Sequence, residues 1–219
     1  MKTVRLKLPI AVEDLEGLEF GTVIYLDGLI YTGREGLYKR LIDQDIPAPV
    51  DLAGIGNVNF HCSPAAAQTA SGEFNVGAVT GTASFRFSKW MKKWFEMSGC
   101  RMIIGKGGMS QEDYLEHFVP NKAVYLTTVG YGTGALLGRG IRRVVDVHWL
   151  EELGIAQAMW VLEVENFGPF LLECDLQGRS LFHESGEAIN ERITGLYEGL
   201  KKPALGRFGE TTSRDDEVI

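Results

Sequence analysis

Cysteine is scarce in this chain: three among 219 residues, Cys62, Cys100 and Cys174, with no CxxC pair. So odd and widely spaced a set builds no disulfide framework and fits a reducing compartment. A metal or cluster site made from these three alone would need distant parts of the fold to converge, so buried, inert thiols are expected. Histidine is as sparse, with His61, His117, His148 and His183 scattered and no HExxH pairing. Positive charge is in deficit: 22 Lys and Arg against 29 Asp and Glu leave a net charge of −7. Nothing in that balance suggests binding along a nucleic-acid backbone, which needs a basic face. Apolar runs are broken by Gly, Asp or Arg well short of the ~18 residues a membrane span needs. The start, MKTVRLKLPI, alternates like a strand and lacks a secretory apolar region. A cytoplasmic protein is expected, with neither nucleic acid nor membrane as partner.

What is present is an ordinary globular composition, 45% hydrophobic and 23% charged, in a chain long enough for one large core. VIYLDGLIYTG (23–33) gives two β-rich runs around Asp27-Gly28, a hairpin or a bulged strand. REGLYKRLIDQ (34–44) has helical period, stopped by Pro47 and Pro49. NVNFHC (57–62) and EFNVGAVT (73–80) read as strands around a small-residue loop, SPAAAQTASG. SKWMKKWFEMSG (88–99) reads as a helix with Gly99 as C-cap. RMIIGKGG (101–108) is a buried strand entering a glycine turn, and Ser110 with Asp113 forms a capping box. KAVYLTTVG (122–130) is a further strand, and GYGTGALLGRGIRRV runs from a glycine turn into a helix. AMWVLEVENFG and FLLECDLQG alternate as two antiparallel strands joined at Gly168-Pro169, and GEAINERITGLYEGL (186–200) is a last helix. One mixed α/β domain over 1–200 is expected, followed by a polar, aperiodic tail over 201–219.

Chemistry concentrates at three strand-to-helix turns: YTGREG (31–36), GTASFR (81–86) and IGKGGMS (104–110). Helix N-termini attract anions, and Arg34, Arg86 and Lys106 add full charges there. Ligands of α/β sheets gather at such strand ends. Three cations so placed point to a small, multiply charged anion, although any one alone reads as a partner for a surface carboxylate. Thr82, behind Arg86, reads equally as the N-cap of the helix that follows. GYGTGALLGRG (130–140) imitates a dinucleotide fingerprint but is spaced GxGxG, not GxGxxG. Close helix–strand packing is the better reading of it.

These motifs together resemble the β subunit, or equivalent C-terminal domain, of class I fumarate hydratases and L(+)-tartrate dehydratases. The likeness covers roughly residues 5 to 195 by motif order. YTGREGLYKRL is similar to the family's YTGRDxAHKRL, and IGKGGM matches outright. VVDVHWLEELGIAQAMWVLEVENFGPF follows the family's Trp, Leu-Gly-Met-Pro, Trp-Val and Phe-Gly-Pro in order and spacing. GTASFR falls on its GPTTSxRM signature, with Arg86 on the arginine and Thr82 on the first threonine. Gly81 replaces the proline, Ala83 the second threonine, Phe87 the methionine, and Tyr38 a usual histidine; Tyr131-Gly132-Thr133 stand where a Cys-Ala pair is usual.

The resemblance implies a swivelling β/β/α fold and a site shared with an α subunit holding a four-iron–four-sulfur cluster, leaving no metal ligand in this chain. It implies reversible dehydration of a 2-hydroxy dicarboxylate, the cluster polarising the departing hydroxyl. Arg34, Arg86 and Lys106 would hold substrate carboxylates, and Thr82 would stand beside the abstracted proton. The two phenylalanines of GTASFRF would shield the Arg86 ion pair from water. Heterodimer, α₂β₂ assembly and homodimerisation of this chain all stay open. Two other classes compete: a catalytically silent organic-acid-binding paralogue, and a nucleotide enzyme using 130–140.

Overall fold

The computed structural model describes residues 2–130 and 132–199. In chain order the elements are β1 (Thr3–Lys7), α1 (Val12–Leu15), β2 (Val23–Thr32), α2 (Glu35–Tyr38), α3 (Leu52–Ile55), β3 (Val58–Phe60), β4 (Cys62–Gln68) and β5 (Phe74–Gly81). There follow α4 (Ser88–Ser98), β6 (Met102–Gly105), α5 (Gln111–Asp113), β7 (Val124–Thr128), α6 (Gly134–Arg139), β8 (Ile141–His148), α7 (Leu150–Leu153), β9 (Met159–Cys174) and α8 (Leu181–Tyr197). A 3₁₀ turn, Phe85–Phe87, leads into α4, and wide turns extend α2 and α5 over Lys39–Asp43 and Tyr114–Phe118. Residues 2–184 fall in one compact unit and 185–199 in a second. The tail expected over 201–219 lies outside the described residues. No helix among them is long and apolar enough to cross a membrane.

The main sheet is mixed, in the order β1-β2-β3-β6-β7-β9-β8. Strands β1, β2, β3, β6 and β7 run parallel to their neighbours, while β9 is antiparallel to β7, β8 and β2. Because β9 pairs with both β7 and β2, the strands β2-β3-β6-β7-β9 close on themselves, with β1 and β8 outside the ring. Closure removes edges that would otherwise be open to pairing. The two-residue period of the strands then divides the core. Met102, Ile104, Val124, Leu126, Phe60 and Phe170 join one apolar cluster, and their sequence neighbours Ile103 and Tyr125 join another with Trp90, Trp94 and Phe118.

Three sequence readings are corrected. The small-residue segment after Cys62 is strand, not loop: β4 pairs with β5 along Cys62↔Gly81 to Gln68↔Phe74. Alanine is a poor strand former, and the partner strand overrides that preference. The helix after the second glycine turn ends at Arg139, and IRRVVDVH becomes β8, paired with β9. The two strands expected around Gly168-Pro169 are one continuous β9, held across that point by Leu26↔Phe167 and Ile24↔Phe170. The open alternative at 23–33 resolves to a bulged strand, its register shifting around Leu26 and Gly28, where Gly28 has φ 129°. Local signals held: Gly99 is a left-handed C-cap at φ 62°, and the Ser110–Asp113 capping box forms.

Candidate functional site

Parallel strands β2, β3, β6 and β7 end on one side of the sheet, and β5 brings its own end there through the hairpin. Arg34 follows β2, His61 follows β3, Thr82 follows β5, Lys106 follows β6, and the glycine turn follows β7. Gly33 turns the chain at the end of β2; a Cβ there would stand 2.6 Å from Asn59 Oδ1. Arg34 Nη1 then donates to Ala156 O at 3.0 Å and to Ser63 Oγ. Its guanidinium is held below the ordinary arginine value, first by burial and then by the charge of Arg86. So Arg34 and Arg86 are near enough to repel, and among the described residues neither forms a salt bridge with a carboxylate. Arg86 is exposed, its guanidinium 5.7 Å from the ring centre of buried Phe87. Phe85 is 62% exposed, so within this chain alone it does not shield Arg86 from water.

Thr82 is buried and held through its main chain. Its N–H donates to His61 O at 2.6 Å, and its carbonyl accepts from Lys106 N at 3.1 Å. Ala83 bridges Lys106 in parallel, and Ser84 N donates back to Lys106 O at 3.4 Å. Thr82 is therefore not the helix N-cap that its sequence position also allowed. Helical structure begins at Phe85, and the segment 82–84 is a short strand-like bridge between β3 and β6.

Lys106 is half-buried and lines a cleft of about 320 Å³ with Thr80, Gly81, Thr128, Thr133 and Gly134. Of the four sequence-derived site residues this cleft is lined by Lys106 alone; Thr82 and Lys106 share a backbone bridge, and Arg34 and Arg86 share a field. A larger cleft of about 490 Å³ runs between β5 and β8, away from these residues. The 130–140 turn does pack closely: a Cβ on Gly138 would sit 2.2 Å from Gly77 O, and one on Gly134 would sit 2.9 Å from Val79 O.

Sequence reasoning passed over the polar groups beneath these turns. Asn59 Nδ2 donates to the Tyr38 hydroxyl at 2.6 Å, and that hydroxyl meets His61 Nε2 at 2.6 Å. His61 Nδ1 meets Ser84 Oγ at 2.7 Å, where the Tyr125 hydroxyl also donates at 2.7 Å. All five side chains are fully buried. Burial, reinforced by Arg34, lowers His61 to about 3, so the imidazole is neutral at physiological pH. A second buried group supports the Lys106 turn: Tyr114 and Ser180 donate to Glu173, and Met109 N donates to the Tyr114 hydroxyl at 2.8 Å. Burial pushes the Glu173 carboxyl up, while Ser180 and Tyr114 oppose that. The one clue in the sequence was Tyr38, standing where the family has histidine.

With this geometry in view, the Fumarase C-terminus family model matches residues 1–185. The chain belongs to that family. It is 32% identical over 197 residues to the L(+)-tartrate dehydratase subunit beta of Escherichia coli K12, covering 89% of this chain and 94% of that protein. A Methanocaldococcus jannaschii protein provisionally given the same name is 32% identical over 187 residues, covering 84% and 93%. A Geobacillus stearothermophilus protein, provisionally named class I fumarate hydratase, is 33% identical over 197 residues, which are 90% of this chain but 37% of that longer protein.

The family implies an iron–sulfur cluster, and this chain's cysteines do not fit one. Cys62, Cys100 and Cys174 are buried, and burial pushes every thiol up, Cys100 to about 11. A cluster needs several thiolates converging on one point. Cys62 packs in the core inside the ring, Cys100 and Cys174 in the other. Among the described residues no group of three or more His, Cys, Asp or Glu could hold a metal ion.

Proposed function

We propose that this chain is the β subunit of an iron–sulfur hydro-lyase that reversibly dehydrates a 2-hydroxy dicarboxylate of the malate or tartrate type. The observation that carries the reading is the match over residues 1–185, joined to near-complete coverage of a tartrate dehydratase β subunit. On this reading the cluster belongs to an α subunit, and the substrate lies between the two chains. The swivelling β/β/α description and the 1–200 domain go with the same reading.

This chain's share of the chemistry is to bind and to stabilise charge. Removing a proton beside a carboxylate places negative charge on that carboxylate, and cations fixed in advance lower the barrier. Arg34 and Arg86 suit this task because a planar guanidinium takes a carboxylate bidentately. Their mutual repulsion, eased by the nearby charge of Glu35 but by no salt bridge among the described residues, supports an anionic ligand as a further partner. Lys106 holds the second carboxylate beside the cleft. Thr82 stands at the carbon that loses its proton. A threonine hydroxyl is a weak base and needs an acceptor behind it. His61 does not serve, since both ring nitrogens are committed and its proton affinity is too low. The acceptor is therefore assigned to the α subunit.

The test is anaerobic co-expression with a cluster-binding α subunit and assay of malate, tartrate and methylated relatives. Hydration or dehydration of one diacid, lost in Arg86→Ala, supports the proposal. A correctly assembled, iron-loaded complex inactive on all of them overturns it.

A further inference from the structure

We propose that the buried run Tyr38–His61–Ser84–Tyr125 is a single positioning device that holds the three substrate-facing turns in register, with His61 as its hub. It rests on the site reading just given and goes beyond it, because none of these four residues touches substrate. The run reaches every turn. Tyr38 lies one helical turn beyond Arg34, and its N–H donates to Arg34 O at 3.2 Å. Ser84 lies midway between Thr82 and Arg86. Tyr125 stands beside β6, opposite Ile103, two residues before Gly105.

His61 grips the middle turn twice. Its carbonyl accepts from Thr82 N at 2.6 Å, and its Nδ1 meets Ser84 Oγ at 2.7 Å. The two bonds straddle Ala83, so both the position and the direction of that segment are fixed. With the Asn59 amide assigned so that Nδ2 donates to the Tyr38 oxygen, the Tyr38 proton is directed to Nε2 and the ring proton to Nδ1, facing Ser84.

Gly105 shows that the junction tolerates nothing extra. A Cβ there would lie 2.0 Å from Ser84 Oγ and 2.4 Å from the Tyr125 hydroxyl, immediately before Lys106. The glycine of IGKGG is thus a clearance for this junction as much as a turn residue. Apolar side chains could fill the same volume. Hydrogen bonds instead specify direction, and a misplacement of ~1 Å costs catalysis on the order of 10²-fold.

The experiment uses the assembled complex and separates the two ends of the run. Ser84→Ala frees the Thr82 segment and should lower kcat roughly 10- to 50-fold with KM within about 3-fold. Tyr38→Phe frees the Arg34 turn and should raise KM roughly 5- to 10-fold with kcat within about 3-fold. His61→Asn keeps a polar group at the Nδ1 position and should behave like Tyr38→Phe, while His61→Gln keeps one near Nε2 and should behave like Ser84→Ala. Should Ser84→Ala fail to assemble, Tyr125→Phe removes a bond to the same hydroxyl and carries the same expectation. Wild-type kinetics in Ser84→Ala and Tyr38→Phe overturn the proposal. So do kcat and KM changes that merely track loss of Tm in all variants alike. Thr82→Ala and Arg34→Ala, run alongside, keep the two readings apart. Full activity in both overturns the site reading and this proposal with it; loss there, with Ser84→Ala and Tyr38→Phe unaffected, overturns this proposal alone.

Discussion

The two cores of this protein sit on opposite faces of the same strands and are built from different materials. Inside the ring, Phe60, Met102, Ile104, Leu126 and Phe170 are all apolar. On the other face, under α4, the aromatic cluster of Tyr38, Phe87, Trp90, Trp94 and Tyr125 encloses His61, Ser84 and Asn59. Burying polar groups is costly unless each finds a partner. The outer core accepts that cost next to the turns bearing Arg34, Thr82 and Lys106, whereas beside the inner core the buried Thr32 hydroxyl serves only the main chain of Ala158 and Trp160. One core stabilises, and the other also aims.

The largest expected effect tests the first half of that contrast. Phe170→Ala removes a ring that meets Phe60 and Phe167 edge-on, with centres 5.8 and 5.2 Å apart. It should cost about 3–5 kcal/mol of stability in chemical denaturation, with kcat per folded complex unchanged. Arg86→Ala should do the reverse. Its side chain is exposed, so stability should move by less than ~0.5 kcal/mol. The rate constant kcat/KM should fall about 10²- to 10³-fold, or ~2.7–4 kcal/mol.

A pH series sharpens the comparison. His61 binds a proton only near pH 3 in the fold, against an ordinary value of 6.5. The unfolded chain therefore takes up a proton first as pH falls. The stability held by neutral His61 is full above pH 6.5 and is lost progressively toward pH 3. Between pH 7 and 5 the loss is about 2 kcal/mol, from ~1.36 kcal/mol per unit. His61→Gln should lack that part of the slope, while Arg34, facing the ring with a fixed charge, is common to both proteins. Unfolding free energies from urea titrations that fall equally between pH 7 and pH 5 in the two proteins would contradict neutral burial. The smallest effect is expected from Gly81→Ala, whose Cβ would stand 3.0 Å from Thr128 Cγ2. Thr128 can give slightly, so the cost should be about 1 kcal/mol or less, read as a small fall in Tm.

Much of this was legible in the chain where the cause is local. The Gly99 cap and the Ser110–Asp113 box are written within a few residues, as are the strand ends carrying Arg34, Arg86 and Lys106. Pairing over distance was not. The β4 segment is alanine-rich and becomes strand only against β5, and IRRVVDVH follows a helix so closely that its period reads on. For β9, Gly168-Pro169 marks a break in the sequence that the pairing with β2 carries across. The His61 run was the least visible part. Tyr38, His61, Ser84 and Tyr125 are separated by 23, 23 and 41 positions, and each alone reads as a core residue. Phe85 misled in the other direction, since its apolar character suggested a shield and the fold leaves it exposed.

If Arg34, Arg86, Lys106 and Thr82 serve one dicarboxylate, a crystal structure of the assembled complex with a non-reacting C4 diacid will show all four around it. Both guanidinia and the Lys106 ammonium should lie within ~2.7–2.9 Å of ligand carboxylate oxygens. Thr82 Oγ1 should face the carbon beside a carboxylate. A diacid bound elsewhere, with Arg34 still given only to Ser63 and Ala156 and Arg86 open to solvent, would contradict that shared role.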